Sequence, residues 1–183
     1  MEKERNLRPA ALALTVLGVI SRLVPHPWNF TPVGSASLFS GARLPGWQAY
    51  LIPLAIMAIT DPILNALNHV ALFSYMQVII YISFALSVVI GRRLWSTESV
   101  PRIALASLLN STQFFLITNF GVWVGSTQFT HSAAGLAACY AVAIPFFAYT
   151  VLGDLFFAGA IFGLHAWLSR TQAARQERVL SNA

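Results

Sequence analysis

Long apolar stretches alternate with short polar ones along the whole chain. Six apolar segments can be drawn, roughly 9–24, 32–44, 47–67, 73–94, 101–120 and 146–168. A helix needs about 20 apolar residues to cross about 30 Å of hydrocarbon at about 1.5 Å per residue. Four segments reach that length and the first is slightly short. The second, TPVGSASLFSGAR, is shorter still and rich in Gly, Ala and Ser; by length alone it reads as re-entrant. Between 121 and 145 the sequence GVWVGSTQFTHSAAGLAACYAVAIP reads as a loop and then a short apolar helix that Pro145 stops.

Composition identifies the solvent. Of 183 residues 57% are hydrophobic and 9% charged, against about 25% charged in soluble domains. Such a chain cannot cover itself with polar surface, so the expected class is an all-α integral membrane protein. One domain, 1–170, is expected, with a short cytoplasmic tail at 171–183. The basic N-terminus followed by PAALALTVLGVI imitates a signal peptide, but no small-residue cleavage site follows, and a retained first helix is expected. The single cysteine, Cys139, excludes an internal disulfide and a cysteine-rich metal site.

Charge then settles the expected number of crossings. With six spans and an internal N-terminus, Lys3, Arg5, Arg8, Arg43, Arg92, Arg93, Arg102, Arg170, Arg175 and Arg178 fall on one side, and only Arg22 on the other. If the second segment did not cross, this bias would vanish. The positive-inside rule therefore predicts six transmembrane helices with both termini cytoplasmic, and a short second helix shielded by protein.

Ionisable groups within apolar segments are costly and mark candidate sites. Arg22 ends the first segment, and Asp61 and Asp154 lie about 10 Å below the external surface by helical rise. Asp61, Asn65 and Asn68 share one helix face, with His69 following. Ser107, Ser111 and Thr118 form a stripe beside Asn110 and Gln113, and Asn119 ends that helix. An outward-open polar cavity would use these residues; an Arg22 pairing with either aspartate would instead tie helices together. Pro25, Pro27 and Pro32 stiffen an external segment that presents His26, Trp28 and Asn29. His26, His69 and His131 fall on the external side without ligand spacing. No catalytic, nucleotide-binding or cofactor motif occurs, so neither an enzyme nor a cofactor is expected.

The run SRLVPHPWNFTPVGSASLFSGA, with ITDPIL, QFFLITNFGVW, GLAACYAVAIPFF and GDLFFAGAIFG, resembles an uncharacterised bacterial membrane family assigned to transport. That family is similar to the substrate-binding S components of energy-coupling-factor (ECF) vitamin transporters. The resemblance implies a six-helix bundle in the cell membrane that binds a micronutrient in an external cavity. The loop after helix 1 would cap it, making Arg22, His26 and Asn29 part of a lid and its hinge. Asp61, Asn65, Asn110, Asn119 and Asp154 would line the cavity. It also implies an ECF-type coupling subunit with ATPases, docked through helix 1, where Ala11, Thr15 and Gly18 form a small-residue stripe. Two other readings compete: a membrane-embedded enzyme using Asp61 and Asp154 as a pair, and a ligand-free structural or assembly protein.

Overall fold

The computed structural model describes residues 2–25, 27 and 29–181, with side chains from Ala13 onward. His26 and Trp28, expected to project from the proline-rich segment, lie outside the described residues, as does the side chain of Ala11. The elements are α1 (Glu2–Leu23), α2 (Val33–Arg43), α3 (Leu51–Leu67), α4 (Tyr75–Arg92), α5 (Val100–Gly125) and α6 (Ala133–Ser181), with a 3-10 turn, Gly46–Tyr50, leading into α3. No strand occurs among the described residues. Four helical stretches, Gly46–Leu67, α4, α5 and α6, are long and apolar enough to cross a membrane, and Ala13–Leu23 is a shorter apolar helix. The chain is all-helical in the manner of membrane proteins.

Burial has the polarity a hydrocarbon solvent demands. Leu17, Ile20, Ile82, Leu105 and Leu109 are exposed on the outside of the bundle, while Ser37, Ser83, Ser87 and Ser107 are fully buried. Each of these serines donates to a carbonyl of its own helix four residues back. The hydroxyls are thereby satisfied, and the small side chains let helices approach closely.

The short helix α2 is the centre of the fold. Ten of its 11 residues, Val33 to Ala42, are buried, with α4 and α6 against it and α1, α3 and α5 completing the surround. Its length, about 16 Å, is about half the hydrocarbon thickness. Protein on all sides makes that length tolerable. The closest approach is to α4 and is reciprocal: a Cβ on Gly41 would strike the carbonyl of Val88, and one on Gly91 would strike the carbonyl of Leu38. Only glycine allows backbones so near, a spacing that suits Cα–H···O contacts.

The far end of α2 is anchored by charge. Arg43 donates to the carbonyls of Leu94 (3.2 Å) and Thr97 (2.6 Å). Arg92 donates to the carbonyl of Gly46 (2.5 Å). An exposed Arg170–Glu98 bridge of 2.9 Å joins α6 to the same end. At the other end Arg22 of α1 meets Asp61 of α3, and Gly18 lies against Ile56, so α1 and α3 run side by side in the same direction.

Two expectations are corrected. Pro145 does not stop a helix: α6 runs through it without a break for 49 residues, about 70 Å at about 1.5 Å per residue. Proline removes one backbone donor, but apolar sequence continues on both sides, and Pro145 itself sits on the exposed side of the helix. The second correction is that α5 extends past residue 120 to Gly125. The tail from 171 to 181 is the exposed end of α6.

Candidate functional site

A cavity of about 690 Å³ opens at the Arg22 end of the bundle, and all six helices contribute to its wall. Its floor is the start of α2, where Val33 and Gly34 lie. A smaller cavity of about 260 Å³ adjoins it through Asn29, Ile80, Phe114 and Thr150. Of the residues singled out in the sequence, Arg22, Asn29, Asp61, Asn65, Asn110 and Asp154 line the larger cavity. Asn119 lines the smaller one. His26 lies outside the described residues.

Two carboxylates dominate the wall. Asp61 is 6% exposed. Its Oδ1 accepts from Arg22 Nη1 at 2.8 Å and its Oδ2 from Tyr81 Oη at 3.0 Å. Arg22 Nη1 also reaches Thr60 Oγ1 at 2.6 Å and Met57 Sδ at 2.8 Å. One ion pair thus ties α1, α3 and α4. The pairing foreseen as an alternative for Arg22 is made, and it is made with Asp61.

Asp154, 4% exposed, stands on neutral partners. Its Oδ2 accepts from Asn110 Nδ2 (2.8 Å) and Ser111 Oγ (2.7 Å). Its Oδ1 lies beside Gly34, where a Cβ would collide with it and with Asn110. Ser35 Oγ bonds the backbone carbonyl of Asp154 at 2.8 Å. These contacts join α2, α5 and α6. Asp61 and Asp154 share no hydrogen-bond partner among the described residues.

Other polar residues turn to local tasks. Asn65 donates to the carbonyl of Leu72, Asn68 to that of Leu64, and Asn119 to that of Phe115. His69 holds a left-handed backbone (φ 55). There His69 N–H bonds Ala66 O and Val70 N–H bonds Asn65 O, the pattern that ends a helix in a Schellman motif. His131 sits edge-on to Trp123 and bonds its carbonyl. Among the described residues no group of three His, Cys, Asp or Glu is placed to hold a metal. Gln113 donates to Ser83 O, Ser87 Oγ and Asn110 Oδ1, while its buried Oε1 has no hydrogen-bond partner among the described residues.

The segment above the cavity is shaped by proline and asparagine. Phe30 N–H bonds Pro27 O at 3.0 Å, and Asn29 takes φ 61, a left-handed position that asparagine tolerates well. Phe30 then packs on Phe156 and Phe157 of α6, at 6.0 and 5.3 Å between ring centres. The absence of a side chain at Gly153 lets the backbone of Phe30 come close.

Several wall residues escaped the sequence reading. Thr150 lies four residues before Asp154, on its face of α6. Ser74 and Gln77 form a capping box at the start of α4, and their Ser-x-x-Gln spacing was the available signal. Phe84 and Phe114, with centroids 5.2 Å apart, carried no signal beyond being apolar. Gly18, part of the small-residue stripe on α1, faces inward onto Ile56.

No curated protein and no solved structure matches the chain. A family model does match, across residues 3–177, and by that match the chain belongs to DUF6580, a family of unknown function.

Proposed function

We propose that this protein is a small-molecule transport protein of the S-component kind, with six spans and both termini on the cytoplasmic side of the cell membrane. The observation that carries the reading is the cavity of about 690 Å³ at the Arg22 end, opposite the end where Arg43, Arg92 and Arg170 gather. Positive-inside bias directs that second end to the cytoplasm, which makes the cavity outward-facing. Its volume suits a micronutrient-sized ligand, for which pockets of about 300–1,000 Å³ are usual. The segment 24–32 acts as the lid, seated on α6 through Phe30. Capture from outside is followed by reorientation of the bundle and release inside. The chain has no nucleotide-binding motif, so energy comes from a gradient or from a coupling subunit with ATPases. Since Gly18 packs onto α3, such a subunit would engage the exposed side of α1 at Val16, Leu17 and Ile20.

Native mass spectrometry of the protein in mild detergent tests the reading, together with thermal-shift screening against vitamins and cofactors. A co-purified metabolite, or a shift with one compound class, is expected. An empty protein that responds to nothing in the panel would sink it. Asn29→Gly keeps the left-handed backbone and removes the lid side chain; uptake should fall while thermal stability holds.

A further inference from the structure

The charge balance of the cavity is uneven, and the unevenness points to the class of ligand. Arg22 and Asp61 cancel as an ion pair at 2.8 Å. Asp154 is then the one remaining charged side chain in the described wall, and its hydrogen-bond partners, Asn110 and Ser111, are neutral. Resting on the cavity-binding reading above, we infer that the cavity takes a small organic cation, with Asp154 meeting its positive nitrogen.

The surroundings favour nitrogen over a metal ion. Asn110 turns its Nδ2 to the carboxylate and its Oδ1 to Gln113 Nε2. The neighbours of Asp154 therefore offer N–H and O–H groups, which support a carboxylate, rather than the oxygen ligands a hard metal needs. Phe84 and Phe114 line the same cavity, and aromatic faces attract a cation and hold an apolar body. An anion would meet a carboxylate with no cation beside it, and Asp154 is 4% exposed, so like-charge repulsion there is less screened than at a free surface.

The test uses the full-length detergent-purified protein and three probes of similar size: benzyltrimethylammonium, benzyl alcohol and benzoate. At millimolar concentration the cation alone should raise the thermal midpoint. Asp154→Asn retains the shape and should bind it at least tenfold more weakly. Should that variant fail to fold, the charge selectivity of the unaltered protein decides. Binding of benzoate or benzyl alcohol as tight as that of the cation overturns the inference. So does no response to the cation, or undiminished cation binding in Asp154→Asn. A neutral or anionic metabolite found by native mass spectrometry would overturn the cation assignment while leaving the transport reading in place.

Discussion

Asp61 and Asp154 are the same residue type, both buried, on walls of one cavity, yet they are held in opposite ways. Asp61 has a cation at 2.8 Å and a tyrosine hydroxyl at 3.0 Å. Asp154 has an amide and a hydroxyl. A buried ion pair fixes geometry, and breaking it leaves an uncompensated charge. A carboxylate on neutral donors keeps its charge unmatched, available to whatever enters. The first network is a clamp across α1, α3 and α4. The second joins α2, α5 and α6 and remains electrostatically open.

That contrast can be broken in graded steps, read by unfolding in mixed micelles. Arg22→Met should have the largest effect, a loss of about 3 kcal/mol, the low end for breaking a buried pair because the guanidinium is partly exposed. A loss below about 1 kcal/mol would mean the clamp is ornamental. Gly34→Ala comes next: its Cβ would press on Asp154 and Asn110, and overpacking of this kind costs about 1–3 kcal/mol. Tyr81→Phe removes one hydrogen bond to the paired carboxylate and should cost about 1.5 kcal/mol, while leaving ligand response unchanged. Asp154→Asn should be mildest for stability, under about 1 kcal/mol, since an amide oxygen still accepts from a neutral donor. If Asp154→Asn proves more destabilising than Arg22→Met, the clamp and the open site have been assigned the wrong way round.

The difference between the two aspartates was not legible in the sequence. Both read as charges in the outer half of a span, and Arg22 could reach either. What separates them is rotation about the helix axis and the partners across it, which one-dimensional spacing does not carry. That Arg22, Asp61 and Asp154 meet at one level of the bundle was legible, because helical rise converts sequence distance into height. So was the need to shield TPVGSASLFSGAR, because a short segment rich in small residues has few other ways to sit in hydrocarbon. The Asp61, Asn65, Asn68 face was legible as periodicity but not in its local bonding: Asn65 donates to the carbonyl of Leu72 in the loop after α3, and Asn68 to that of Leu64 in the last turn. Pro145 was not legible as a residue within a helix, because a single proline reads as a stop while the apolar run on either side of it carries the helix through.

The burial of α2 has a consequence for how the protein is made. Val33 to Ala42 present no side of their own to lipid, and the glycine seat on α4 does not exist until Gly91 has been synthesised. Asp154, which lies against Gly34, arrives later still. On its own, α2 has neither the length nor the apolarity to hold a place in the bilayer. Its final position is therefore set late, when α4 and α6 close around it. A chain truncated before α6 would leave α2 uncovered on one side, a ready target for quality-control proteolysis, and the cavity would exist only in the finished chain.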